Sequence, residues 1–165
     1  MKLKLYSDNK IINIEMLPIN IPKQNNNCSK FNSNYLLKFD GCSKGNPGLA
    51  GSGAVIYYNN VEIWSKSVFV GKNNTNNEAE YTGLIIGLEE AAQMKIESLQ
   101  VEGDSLLIIK QMKGEYKVKS EKLMKLYAKA KEYEKMINKI EYNHIYREKN
   151  IRADELSNMG LLFSK

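Results

Sequence analysis

Two strand-like runs in this chain each end on an aspartate, and any fold it adopts has to place both endings. Tyr35-Leu-Leu-Lys-Phe-Asp40 is rich in apolar and aromatic residues and is followed by small turn-forming residues from Gly41 to Gly48. That pattern predicts a strand with Asp40 at its mouth. Leu99-Gln-Val-Glu-Gly-Asp104 puts Leu99, Val101 and Gly103 on one face and Gln100, Glu102 and Asp104 on the other, because strand side chains alternate. In open α/β sheets, active groups gather beyond the carboxyl ends of the strands. Two parallel strands that each end in Asp bring two carboxylates together, which is unfavourable unless a cation lies between them.

Two further carboxylates have comparable settings: Glu80 in Thr75-Asn-Asn-Glu-Ala-Glu-Tyr81, and Asp154 near the C-terminus in Arg147-Glu-Lys-Asn-Ile-Arg-Ala-Asp154. Hard divalent cations take oxygen ligands, and Mg²⁺ binds through a few carboxylates plus substrate phosphate. Two such ions about 3.5–4 Å apart clamp the attacking and leaving oxygens of a phosphoryl displacement. Four carboxylates suit that task. With one His and two Cys in the chain, zinc-type ligand spacing is absent. Only one of Glu78 and Glu80 can face a sheet, since residues two apart on a helix point roughly 200° from each other. Glu80 shares its face with Leu84, Gly87 and Leu88, whereas Glu78 falls with Thr82 and Ile85.

Four segments, Phe39–Tyr57, Thr75–Ala91, Val101–Tyr116 and Tyr146–Asn158, resemble type 1 ribonuclease H in order and spacing. The likeness is to the plant and archaeal-like branch without a long basic protrusion, and it runs from about Tyr35 to the C-terminus. It implies an α/β, ribonuclease H-like fold: a mixed five-stranded sheet with helices on both faces. Asp40, Glu80, Asp104 and Asp154 would be the catalytic tetrad. They would hold two ions of Mg²⁺ or Mn²⁺, with Asp40 bridging, Glu80 and Asp104 on one ion and Asp154 on the other. The implied reaction is hydrolysis of the RNA strand of an RNA/DNA hybrid to a 5′-phosphate and a 3′-hydroxyl, without a small-molecule cofactor. A non-catalytic hybrid-binding scaffold, or a resolvase-like nuclease of the same fold, is the alternative. The intact tetrad speaks against the scaffold, and the Gly45-Asn-Pro-Gly48 loop against the resolvase.

Residue types and the resemblance together mark substrate contacts. Gly41, Cys42 and Ser43 open a small-residue loop that would lie against a ribose, and Asn46 matches a position that reads the minor groove, where 2′-hydroxyls distinguish RNA from DNA. Thr75, Asn76 and Asn77 precede the Glu80 helix, where free N–H groups favour an anion; in the family this corner grips the DNA strand. Lys117 and Lys119 are candidates for backbone contact. Many relatives carry a His in a long loop before the last Asp. The single His here, His144, falls in a strand-like run, Ile140–Arg147, and reads as a packed or edge residue. Arg147, Glu148 or Lys149 would then assist the leaving phosphate.

Charge agrees with a nucleic-acid partner. The net charge is +5, yet ten Lys stand against four Glu between Lys110 and Lys139, so the basic character is concentrated there. A helix over Ser120–Asn138 would bury Leu123, Leu126, Tyr127, Ala130, Tyr133 and Ile137 and leave Lys122, Lys125 and Lys129 on another face. Remaining expectations are strands at Gly53–Tyr58 and Val61–Val70 joined by Asn59-Asn60, a helix at Glu78–Met94, a short helix at Ser105–Lys113 and a last helix at Asp154–Leu162. Residues 34–165 form the expected catalytic domain. Residues 1–33 are an extension in which Ile11–Ile14 and Met16–Ile21 would form a hairpin or an edge strand, followed by a linker from Gln24 to Asn34. No run of 18 apolar residues predicts a membrane span, and the N-terminus lacks a signal-peptide pattern. An intracellular setting, cytoplasmic or nuclear, with reduced Cys28 and Cys42, is expected. Protein partners are not legible.

Overall fold

The computed structural model describes residues 3–7, 10–14 and 31–164, and the chain divides into two compact units, Met1–Lys30 and Phe31–Lys165. In the first unit β1 (Leu3–Ser7) and β2 (Lys10–Ile14) pair antiparallel, with Leu3 opposite Ile14. Ile11–Ile14 is thus in a hairpin, but with the strand before it. Met16–Ile21 and Gln24–Asn27 lie outside the described residues.

In the second unit β3 (Tyr35–Gly45), β4 (Gly48–Tyr58) and β5 (Val61–Asn74) form an antiparallel meander. They are followed by α1 (Asn76–Gln93), β6 (Ser98–Gly103), α2 (Leu106–Met112), α3 (Glu121–Glu134), β7 (Lys139–His144) and α4 (Ile151–Gly160). The strand order is β5-β4-β3-β6-β7, with β6 parallel to both β3 and β7. This is the mixed five-stranded sheet expected from the sequence. The β4–β5 turn is the predicted Asn59-Asn60 pair, with φ of 50° and 66°; both values are what a two-residue type I′ connection requires.

One expectation needs correcting. Gly41–Gly48 is not a loop after Asp40: β3 runs on to Gly45, and the chain reverses at Asn46-Pro47. Small residues signal turns locally, but here both strands are small. Gly41, Cys42 and Ser43 face Ser52, Gly51 and Ala50, and ladder pairing satisfies the backbone of each strand. Asp40 is therefore mid-strand. What ends beside it is β6, whose last pair with β3 is Gly103 with Phe39. Asp40 and Asp104 each stand one residue beyond that pair. Other boundaries also differ: β4 begins at Gly48 rather than Gly53, β5 runs on to Asn74 rather than Val70, and α1 begins at Asn76 rather than Glu78. α3 stops at Glu134 and Ile137 reaches the core from the turn that follows, β7 stops at His144, and α4 begins at Ile151, so Asp154 lies inside its first turn.

Strand alternation sends neighbouring residues of β3 to opposite faces. Leu37, Phe39 and Gly41 face α1: an added Cβ at Gly41 would lie 2.1 Å from the Glu80 nitrogen, and one at Gly87 would lie 2.3 Å from Leu37. The main core fills this side, with Leu84, Leu88, Leu99, Val101 and Ile108 fully buried. Asp40 faces the other side with its partner Gly53, where a Cβ would lie 2.4 Å from that of Leu156 and 2.5 Å from the Ser157 nitrogen. A smaller core of Val55, Ala153 and Leu156 lies under α4. Bare glycine backbone thus lets a helix press on each face of the sheet at the level of Asp40.

Candidate active site

α1 starts at Asn76, two residues before the expected Glu78, because Thr75 caps it. The Thr75 side chain accepts from the Glu78 N–H, and the Glu78 carboxylate accepts from the Thr75 N–H at 2.7 Å. This is a reciprocal capping box. It engages Glu78, which also pairs with Lys122 at 3.9 Å, and turns Glu80 inward. Asp40, Glu80 and Asp104 each offer an oxygen, and these atoms lie within 4.8 Å of one another.

Asp40 is 5% exposed and Glu80 7%. Burial first, then the Asp104 charge, pushes Asp40 up to about 6; the Ser157 hydroxyl and the Gly41 N–H oppose the shift, and Asp154 adds to it. Glu80 is pushed up to about 8, by burial and then by Asp40 and Asp104, against the Ser105 hydroxyl and the Asn76 amide. One Glu80 oxygen accepts from Asn76 at 3.0 Å. The other, Oε2, is buried without a hydrogen-bond partner. Crowded, desolvated carboxylates with an orphan oxygen fit a hard divalent cation, which neutralises the repulsion and completes the oxygen's coordination.

Asp154 stands outside this cluster of three. Its carboxylate pairs with Arg147 and lies 3.3 Å from the Asn158 amide, and its charge still reaches Asp40. Glu148 and Lys149 are exposed on the turn before α4; the Lys149 backbone donates to the Tyr146 carbonyl at 2.9 Å and accepts from Lys38 at 2.7 Å. His144 is an exposed edge residue, as its place in a strand suggests, yet its Nε2 lies 3.2 Å from the Asp104 carbonyl oxygen.

Asn46, Thr75, Asn77, Lys117 and Lys119, expected to contact substrate, line two adjoining depressions. Asn46 Oδ1 accepts from the Asn76 N–H at 3.1 Å, and the Ser43 hydroxyl donates to the Asn74 carbonyl at 2.8 Å. Asn46, Thr75 and Asn77 share a pocket with Ser120 and Leu123. Those two residues also line a groove with Lys117 and Lys119. Gly41 spends its missing side chain on α1, and Cys42 is half-buried. Two residues escaped the sequence reading: Asn150 and Ser157, both fully buried, whose side chains touch Asp104 and Asp40. Their only sequence signal is placement on the inner face of the Asp154 helix.

The family described as reverse transcriptase-like matches residues 38–160. The chain belongs to that family. Its RNase H-like domain is 40% identical over 126 residues to "Bifunctional protein Rv2228c" of Mycobacterium tuberculosis, a match covering 74% of this chain and 34% of that protein. The chain thus spans about a third of the length of that curated relative. Among solved structures, RNase H1 from Halobacterium salinarum superposes with a TM-score of 0.74 at 33% identity, covering 79% of this chain and 98% of that one. LC11-RNase H1 in complex with an RNA/DNA hybrid gives 0.73 at 36% identity, covering 79% and 98%. Among the described residues of this reverse transcriptase-like chain, no helix is long and apolar enough to cross a membrane.

Proposed function

We propose that the chain is a divalent-metal-dependent endonuclease that hydrolyses the RNA strand of RNA/DNA hybrids. The observation that carries this reading is the cluster of Asp40, Glu80 and Asp104, two of them buried, with the orphan Glu80 oxygen between elements of an RNase H-like domain. Asp40, Glu80 and Asp104 would hold the metal, with Asp154 at its border; two Mg²⁺ ions are the preferred complement, Mn²⁺ the substitute. When bound, the ions supply an activated water and stabilise the leaving oxygen.

The chain's own residues do the rest. Asn46 and the Thr75–Asn77 corner, tied together through Asn76, orient the hybrid across the mouth of the cluster. Lys117 and Lys119 hold backbone phosphates along the adjoining groove. Arg147, paired with Asp154, would meet the negative charge that develops on the attacked phosphoryl group and the departing 3′ oxygen.

The deciding experiment is cleavage of a labelled RNA/DNA hybrid with and without Mg²⁺, beside duplex RNA, duplex DNA and a four-way junction. Hybrid-only cleavage that needs Mg²⁺ and is lost in Asp40→Asn, with hybrid binding retained, is the expected result. Binding without cleavage in Mg²⁺ or Mn²⁺ would make the domain a scaffold, and cleavage of the junction would make it a resolvase.

A further inference from the structure

α4 brings more than Asp154 to the site. Asn150, which begins the helix, and Ser157 are seven residues apart, about two turns, and both are 0% exposed. The Asn150 amide donates to the Phe39 carbonyl at 2.9 Å and to Asp104 Oδ1 at 3.1 Å. The Ser157 hydroxyl lies 2.9 Å from Asp40 Oδ2. The helix can deliver these groups because β4 is bare beneath it: a Cβ on Gly51 would lie 2.4 Å from the Ser157 carbonyl oxygen.

Ordinary structural duties do not account for either contact. An asparagine at a helix start usually caps it by accepting from the first-turn N–H groups. Asn150 makes no such bond, and its buried Oδ1 has no partner. Its amide is turned wholly toward β3 and Asp104. A serine inside a helix usually bonds back to the carbonyl a turn earlier, and the Asp154 carbonyl is available at 2.9 Å. A hydroxyl has one proton, however, and an ionised carboxylate is the stronger acceptor.

We propose that Asn150 and Ser157 are positioning residues, which from one face of α4 fix the rotation of the Asp104 and Asp40 carboxylates so that their remaining oxygens converge on a divalent cation. This rests on the metal-dependent reading given above. Groups that orient metal ligands in this way typically change affinity about 10–100-fold when removed. The helix that carries Asp154 thereby sets the geometry of two of the other carboxylates, Asp40 and Asp104.

Melting of the full chain, titrated with Mg²⁺, tests this in the parent, Ser157→Ala, Ser157→Cys and Asp40→Asn. Cysteine keeps the shape of serine in a slightly larger side chain and is a poor donor, so beside alanine, which leaves space, it separates packing from hydrogen bonding. Both Ser157 variants are expected to need about 10–100-fold more Mg²⁺ for half-maximal stabilisation, with hybrid affinity in the absence of divalent ions unchanged. Asn150→Ala is expected to shift the midpoint the same way, and the Ser157 pair decides if that variant does not fold. Loss in Ser157→Ala with recovery in Ser157→Cys, or lower melting in both with the parent's Mg²⁺ midpoint, would reduce Ser157 to packing and overturn the proposal. A parent with no Mg²⁺-dependent shift, like Asp40→Asn, would overturn the metal reading and the positioning role together.

Discussion

Glu78 and Glu80 are two residues apart, both buried, and spent on different tasks. The Glu78 carboxylate closes the α1 cap, a role glutamine also fills; the Glu80 carboxylate faces two others. Glu78→Gln is therefore expected to keep Mg²⁺-dependent cleavage within about threefold, since an amide oxygen replaces one neutral-acceptor duty, while Glu80→Gln loses it. Metal-free stability should separate them further. Glu80 is raised from 4.5 to about 8 and Asp40 from 3.8 to about 6, so the folded state prefers both protonated. Their contribution is fully present below the unfolded values near 4 and is lost as pH rises through about 6 and then about 8. In chelator, the parent should melt progressively lower from pH 5 to about 8 and level off above it. Glu80→Gln should flatten the upper part of that profile and melt on the order of 5–10 °C higher at pH 9. Saturating Mg²⁺ should raise the parent and leave the variant nearly unmoved. A parent profile that rises over this range would contradict the assigned burial of Glu80.

At the scale of elements, the site lies where two helices close on opposite faces of one sheet. α1 approaches β3 at Gly41, and α4 approaches β4 at Gly51 and Gly53. Gly53→Ala tests the second approach: its Cβ would meet backbone atoms of α4, Ser157 N at 2.5 Å and Ala153 O at 2.7 Å, which cannot swing aside as a flexible side chain can. The helix must shift, at a cost of about 2–3 kcal/mol, read as a lower denaturant midpoint at constant slope. Because α4 carries Asn150, Asp154 and Ser157, the same substitution should weaken Mg²⁺ stabilisation. A loss of stability with the parent's Mg²⁺ response would show that the site tolerates movement of α4.

For the whole molecule the relevant quantity is where charge lies. The net value is +5, but the Lys-rich stretch from Lys110 to Lys139 outweighs it, and the structure folds the start of that stretch beside the Asn46–Thr75 corner. Hybrid affinity should fall with salt as phosphate contacts release counterions. Lys117→Ala with Lys119→Ala should weaken binding and lower the magnitude of the log–log salt slope by about 1–2, measured by fluorescence anisotropy without divalent ions. An unchanged slope would place these lysines off the binding surface.

The sequence alone determined the order of elements in the second unit, the sheet, the Asn59-Asn60 turn and the identity of the clustered carboxylates. Each of these is written in local code: alternation, helical period and turn chemistry, with the order of the motifs. What only the tertiary structure decided depends on partners distant in the chain. β3 extends past Asp40 because β4 is there to pair with Gly41–Gly45. Asp154 lies beside rather than among the three clustered carboxylates because Arg147 and Asn158 hold it. Asn150 and Ser157 were silent in the sequence because a buried asparagine or serine carries no periodicity of its own. Its meaning is fixed by the group it meets across 46 or 117 residues of chain, and only packing brings those groups together.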